Sequence, residues 1–260
     1  TVRDKVFIVK VLAYYKRSGR HTLPWRSRIS PYRVIVSEIM LQQTQVVRVL
    51  PKFVVWMKKY PTLRKLSKAS LKDILVLWQG LGYQRRAKAL HRMAQTVSQI
   101  PKTYEELCRI SGIGPYTASA ICAFAYDKFP PALVETNIRT ALIEEYYKNG
   151  NAIEDTLLRV ILMRLEAYKE VRKRGARAWY LALMDYGAHL KQLRITHNAK
   201  SKGYKKQSNY RGSVRELRAK LLFGVTHDAQ LPKDARTKAT MEKLISEGYI
   251  LKKGKKYSIA

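Results

Sequence analysis

Apolar residues recur at every third or fourth position from Val2 to about Lys191, interrupted by single glycines and prolines, and that period commits most of the chain to helix. The pattern predicts helices at Val2–Arg17, Tyr32–Gln42, Gln45–Lys59, Leu71–Trp78, Arg85–Ile100, Tyr104–Ile110, Tyr116–Tyr126, Asn137–Lys148, Ile153–Glu170 and Arg177–Leu190. From Thr196 to Tyr210 the period is lost and Lys, Ser, Asn, Gly and Tyr take over, as expected of a basic linker. Beyond it, Val214–Leu222 and Thr240–Glu247 read as helices, and the run from Tyr249 to Ile259 reads as a two-stranded hairpin with a Lys-Gly turn. A helix pair followed by a basic hairpin resembles a winged helix. The sequence contains no internal repeat.

The 260 residues carry 51 Lys plus Arg against 19 Asp plus Glu, a formal charge of +32, yet 46% of them are hydrophobic. That apolar share is enough for an ordinary core, so the charge belongs to folded domains and marks a binder of polyanions. The 17 tyrosines interleaved with the basic residues favour nucleic acid over a membrane surface. On charge alone a ribosomal or RNA-packaging scaffold is equally allowed. Cys108 and Cys122 stand isolated in helical pattern, too few for a disulfide framework, a metal site or an iron–sulfur cluster, and they point to a reducing compartment. The early apolar run Val6–Tyr15 is too short and too charged to cross a bilayer, and no signal peptide is read before it. A cytoplasmic, nucleoid-associated monomer without a membrane contact is expected.

Glu38 is the residue that most suggests chemistry. It follows Val34 and Ile35 by four and three positions and precedes Ile39, so it projects from the apolar stripe of its helix. Desolvation there would raise its pKa and let it hold a proton near neutral pH, as a general acid must. A buried glutamate paired with an arginine fits this segment as well. Three further constellations stand out. In the turn from Ile110 to Thr117, Gly112 and Gly114 allow backbone amides to face outward at a helix start, an arrangement that can grip phosphate without reading sequence; a plain tight connection is the alternative. In the run from Gly80 to Arg86, Tyr83 is displayed on a turn with Arg85 and Arg86 behind it, suited to wedging between bases and holding phosphates, or the glycines simply end one helix and start the next. In the run from Val134 to Arg139, Thr136 or Asn137 is a good N-cap, so Glu135 sits at a helix's positive end and should stay ionised, whether for catalysis or only as a favourable end charge. Glu38 and Glu135 are thus two carboxylates whose settings push their pKa values apart.

LPWR at Leu23–Arg26, SEIMLQQTQ at Ser37–Gln45, WQGLGY at Trp78–Tyr83, GIGPYT at Gly112–Thr117 and LMDYGA at Leu183–Ala188 resemble, in this order over roughly residues 20 to 190, the successive motifs of MutY-type adenine DNA glycosylases of the helix–hairpin–helix superfamily. The resemblance implies an all-α, two-lobed fold with a six-helix barrel over about 22–128 and a second lobe of 1–21 plus 129–195; beyond it the residues themselves read as a basic linker at 196–211 and a small winged-helix-like α+β domain at 212–260. The active site is expected in the cleft of the two lobes.

By the same resemblance Glu38 protonates N7 of a flipped adenine, and Glu135, where the family has Asp, stabilises the oxocarbenium-like sugar. Tyr116 occupies the position where bifunctional relatives carry a catalytic lysine, so no Schiff base is implied. Trp25, Arg26 and Asp185 would line the base pocket, Asp185 accepting from an exocyclic amino group. Gln43, Thr44, Leu81 and Tyr83 would fill the gap left by the extruded nucleotide, with Gly112, Gly114, Arg85, Arg86 and Asn137 on the DNA backbone. The sequence departs from the family in three places. No cysteine follows Ala188, so no iron–sulfur cluster and no other cofactor or metal is expected. Glu135 replaces Asp, with an apparent insertion just before it. The family's MutT-like domain is unmatched, and the winged helix stands in its place. The expected activity is hydrolysis of adenine mispaired with guanine or 8-oxoguanine in duplex DNA. Removal of thymine opposite guanine and a catalytically silent DNA-binding protein are the alternatives.

Overall fold

The computed structural model describes residues 1–260 except Ala132, Lys205, Lys206, Lys233 and Lys255. In chain order its helices are α1 (Val2–Ser18), α2 (Pro24–Ser27), α3 (Pro31–Leu41), α4 (Val46–Lys59), α5 (Leu63–Ser67), α6 (Leu71–Trp78) and α7 (Arg85–Thr96). They continue with α8 (Tyr104–Cys108), α9 (Pro115–Tyr126), α10 (Thr136–Tyr146), α11 (Asp155–Glu166), α12 (Lys169–Gln192), α13 (Val214–Thr226) and α14 (Ala235–Ser246), followed by strands β1 (Ile250–Lys253) and β2 (Lys256–Ile259). The expected helices are all present with shifted ends. Helices α2 and α5 were not expected, being too short to show a period. Pro24 at the first turn starts one, and Thr62, whose hydroxyl accepts from the Lys65 amide at 3.2 Å, starts the other. No described helix is long and apolar enough to cross a membrane.

The chain divides into two compact units, the first of residues 1–35 and 101–206, the second of residues 36–100 and 207–260. The division anticipated, with 22–128 in one lobe and 1–21 plus 129–195 in the other, is a different cut of the same chain. In the first unit, the start of α1 is closed by a capping box of Thr1 and Asp4. Asp4 is fully buried and accepts from Tyr146 (2.8 Å), Arg164 (2.9 Å) and Tyr168 (3.0 Å), which fastens α1 to α10 and α11. Phe7, Val11, Ile138, Leu142, Leu158, Trp179 and Leu183 form the core around them. A break at Gly175, with φ +83°, divides α12 into two helical stretches.

The expected linker is not free over its first part. A short 310 turn at Asn198–Lys200 and a parallel bridge of Ser201 with Ile153 lay it against the first unit, with Ile153 and Lys202 amides donating to Lys200 (2.8 Å) and Ile153 (2.9 Å) carbonyls. His197 is buried there against Glu144. The linker's Lys205 and Lys206 lie outside the described residues.

In the second unit Phe53, Trp56, Leu66, Ile74, Trp78 and Leu90 form the core under α4 to α7. Helices α13 and α14 and the antiparallel β1–β2 hairpin, paired Ile250 with Ile259 through Lys253 with Lys256, form a smaller core of Leu221, Val225, Met241, Leu244 and Ile250. This helix pair with a basic hairpin is the arrangement the sequence suggested. Lys255 lies outside the described residues. Lys88 of α7 donates to the Gly248 carbonyl at 2.7 Å and stands 4.6 Å from the centre of the buried Tyr249 ring, so the C-terminal segment belongs to the same body as α7.

Candidate functional site

In the second unit Glu38 lies within α3 beside Val34, Ile35 and Ile39 and is only 6% exposed. Placing an ionisable group in such a row costs several kcal/mol unless it is partnered or neutral. Just beyond the helix, Gln43 takes a left-handed backbone at φ +54°, and Tyr83 does the same at φ +49° on the neighbouring turn. Such non-glycine conformations cost about 1 kcal/mol or more each and gather at functional loops.

Arg86 joins these two turns. Its Nη1 donates to the carbonyls of Ile39 (2.8 Å), Met40 (3.1 Å) and Gln42, and its Nη2 to Leu81 (3.0 Å), Gly82 (3.2 Å) and the Thr44 hydroxyl (3.1 Å). Burial pushes its pKa down to about 10. This corrects the expectation that Arg86 contacts phosphate, because its donors are spent inside the protein and the side chain is 7% exposed. Arg85, by contrast, is exposed. Leu81 also departs from its expected role. Its side chain is 4% exposed, and what it offers the loop is a carbonyl that accepts from Thr44 (3.2 Å) and Arg86. Gln43 is exposed and Thr44 and Tyr83 are half-buried.

In the first unit the turn from Ile110 to Tyr116 inserts the buried Ile113 as its anchor and leaves Gly112 and Gly114 at the surface. Gly112 has φ +92°, a conformation that the absence of a side chain makes inexpensive, and α9 starts at Gly114 without a side-chain cap. Tyr116 in its first turn is half-buried.

Glu135 is itself the N-cap of α10, in place of the expected Thr136 or Asn137. Its Oε1 accepts from the amides of Asn137 (2.7 Å) and Ile138 (2.8 Å), and its Oε2 from the Asn137 side chain (3.1 Å) and the Thr136 hydroxyl (3.0 Å). The longer glutamate thereby curls back on its own helix start, held by charge-assisted bonds. Asn137, expected on the DNA backbone, is occupied on its other side by Lys191, whose Nζ donates to Oδ1 at 2.7 Å. Burial lowers the Lys191 pKa, against the opposing pull of Glu135. One turn earlier in α12, Gly187 lies so close to α10 that a Cβ there would fall 2.0 Å from the Asn137 carbonyl oxygen.

Asp185, expected to accept from a base, is saturated by the protein. Oδ1 accepts from Arg20 Nε (2.6 Å) and Arg26 Nη2 (3.1 Å), Oδ2 from the Arg20 amide (2.8 Å) and Arg26 Nη1 (2.7 Å), and the residue is 2% exposed. Burial pushes its carboxyl up, but the hydrogen bonds and charge of Arg26, with the charge of Arg20, outweigh it and hold the pKa below 3.8. Asp185 and Arg26 therefore pin the loop from α1 to α2 against α12, with Trp25 buried beside Arg26 in α2. A lone acid on the apolar face of α12 is the sequence signal that could have announced such cation partners. Arg20 and Lys191 carried no such signal and read as solvated charge.

The donors present do not fit an iron–sulfur cluster. Four thiolates are needed, while Cys108 is half-buried in α8 and Cys122 is buried in α9, where burial pushes its thiol up. Among the described residues no group of three or more His, Cys, Asp and Glu could hold a metal ion.

Residues 36–181 match the family model described as HhH-GPD superfamily base excision DNA repair protein. The adenine DNA glycosylase of Mycobacterium tuberculosis is 37% identical over 186 residues, 68% of this chain and 59% of that protein. The adenine DNA glycosylase of Buchnera aphidicola subsp. Baizongia pistaciae is 39% identical over 151 residues, 56% of this chain and 43% of that one. The chain spans about half the length of these curated relatives. Among solved structures, a thermostable thymine-DNA glycosylase is similar with a TM-score of 0.63 and 24% identity, covering 76% of this chain and 92% of that chain, a likeness of fold.

Proposed function

We infer, for a chain that belongs to the HhH-GPD superfamily of base excision DNA repair proteins, that it is a monofunctional DNA N-glycosylase that releases adenine mispaired with guanine or 8-oxoguanine in duplex DNA. The observation that carries this reading is the burial of Glu38 within the segment that matches the family model, in a chain similar to adenine DNA glycosylases. A glycosylase must extrude its target and weaken the bond to it. Glu38 delivers a proton to adenine N7, and the C1′–N9 bond breaks with its electron pair passing to the base. Glu135, oriented by its own helix start, stabilises the positive charge developing on the sugar. A water adds at C1′ and loses its proton, leaving an abasic site and free adenine. Tyr116 has no amine and forms no Schiff base, which supports hydrolysis without strand cleavage. The lack of cysteines after Ala188 supports operation without an iron–sulfur cluster. The partner is mismatch-bearing duplex DNA, bound by a monomer at the nucleoid.

Single-turnover reactions on duplexes carrying A opposite G, A opposite 8-oxoguanine and T opposite G, developed with alkali, test this. Alkali-dependent cleavage at adenine is expected. Cleavage at thymine alone would move the assignment to a G:T enzyme, and no cleavage in any duplex would leave a DNA-binding protein. Borohydride should trap no covalent complex, and efficient trapping would overturn the monofunctional mechanism.

A further inference from the structure

The C-terminal segment reaches the turn that displays Tyr83. Arg215, in the first turn of α13, donates Nη1 to the Tyr83 hydroxyl at 2.6 Å, and its guanidinium carbon lies 5.2 Å from the centre of the ring. The other side of that guanidinium is held by the Ser208 carbonyl (2.6 Å), the Ser208 hydroxyl (3.3 Å) and the Asn209 carbonyl (3.4 Å). The side-chain amide of Gln207 donates to the same phenol oxygen and also to Gln43 Oε1, at 3.4 Å. Gln43 and Tyr83, the two non-glycine residues with left-handed backbone beside α3 and α7, are therefore both held by one short stretch of the C-terminal segment. A groove of about 1020 Å³ opens at this junction, lined by Gln43, Trp78, Tyr83, Gln207, Asn209 and Arg215 among others.

We propose that Arg215, assisted by Gln207, is the positioning residue for Tyr83, so that the C-terminal helix pair and hairpin set how this ring enters duplex DNA and thereby which base is accepted opposite the excised one. The proposal rests on the glycosylase reading. A tyrosine side chain has one hydroxyl rotor, a staggered χ1 and a broad χ2. Arg86 and Arg85 also stand 5.4 and 5.8 Å from the ring centre, but among the described residues only Arg215 and Gln207 donate to its oxygen, and these two donors together with the surrounding cations give the ring a single favoured tilt. A wedge whose tilt is fixed fills the gap beside an extruded nucleotide only when the opposite base leaves a matching space. The residue touches no reacting atom and acts through Tyr83.

The test compares the full chain with Arg215→Met, Tyr83→Phe and the double variant. The readouts are single-turnover excision of A opposite G and opposite 8-oxoguanine, affinity for undamaged duplex, and the fluorescence of 2-aminopurine at the target position. Loss of a charge-assisted hydrogen bond corresponds to roughly a tenfold to hundredfold change. Arg215→Met should slow excision by that factor and change the ratio of the two partner bases. Affinity for undamaged duplex should stay within about threefold of wild type. The double variant should be no slower than the slower single one, because both changes remove the same bond. Multiplicative effects, an unchanged base ratio, or an equal loss of undamaged-duplex affinity would overturn the proposal and make Arg215 a phosphate contact or a fold residue. If Arg215→Met lowers the melting temperature by many degrees, Gln207→Ala and Tyr83→Phe give the same comparison. If the wild-type chain releases no base at all, the glycosylase reading fails. The 2-aminopurine brightening on binding then still reports whether Arg215 acts through Tyr83.

Discussion

The second unit presents its candidate acid from the middle of a helix, among apolar side chains, whereas the first presents its carboxylate from a helix start, where two amides, an amide side chain and a hydroxyl converge on it. The loops beside them differ in the same inverted way. In the second unit one buried cation, Arg86, collects carbonyls; in the first one buried anion, Asp185, collects guanidinium and amide donors. The comparison sets Glu38 in its apolar row apart from Arg86, Asp185 and Glu135, each of which is engaged by several partners within its own unit. Arg86 and Asp185 have satisfied partners on nearly every polar atom, and neither has capacity to spare for a substrate. Glu38 owes its interest to its apolar row, and Glu135 to the fixed position that four donors of its own helix start give it.

Glu38→Gln keeps the shape and removes the transferable proton, so single-turnover excision should fall by about 10²–10⁴-fold with duplex affinity within a few-fold of wild type. A rate near wild type would break the distinction between the two carboxylates. Glu135→Gln should follow, with a loss of about 10²-fold or more, since a neutral amide can still cap the helix but cannot offset cationic charge on the sugar. Glu135→Asp should retain part of the rate if the shorter side chain still receives the two amides, and thermal melts of both variants will separate capping from catalysis.

The loop anchors should affect stability more than chemistry. Asp185→Asn should cost about 3–5 kcal/mol at neutral pH, because Arg20 and Arg26 lose their counter-charge. With the folded pKa held below 3.8, the native advantage is complete above that value and is lost as the pH falls through the folded value. The melting difference from wild type should accordingly be largest near pH 7 and shrink in acid below pH 3.8. A difference independent of pH would show that packing, not the ion pairs, is what Asp185 supplies.

The smallest effect is expected at the hairpin, whose Lys252, Lys253 and Lys256 are exposed. Their joint replacement by alanine should lower the slope of log affinity against log salt by about 0.9 for each phosphate that the hairpin no longer neutralises. An unchanged slope would place the hairpin away from DNA.

The helices were legible because caps, prolines and the apolar period agree. The burial of Glu38 was legible because its neighbours at i−4, i−3 and i+1 are apolar. Arg86 differs from its expected role because a sequence does not say whether an arginine after a glycine turn faces solvent or folds back over nearby carbonyls, here those of Ile39, Met40, Leu81 and Gly82. Leu81 failed for the same reason. The acid of Asp185 was visible, but Arg20, separated from it by most of the chain, was not. The first part of the linker reads as a basic connector by composition, yet His197 and Ser201 are buried through long-range contacts that composition does not register.

The carbonyls gathered by Arg86 have a consequence for timing. Fixing a backbone costs roughly 1–2 kcal/mol per residue, and here that loss is incurred when the protein folds, not when the loop meets a ligand. A preformed loop adds no ordering step to an encounter, so arrival is governed by diffusion and by the large positive charge. Departure from an unsuitable site is equally free of any unfolding of the loop. One inward-facing guanidinium thus suits the chain to brief, repeated visits, with a long stay reserved for a site that yields to the rigid probe.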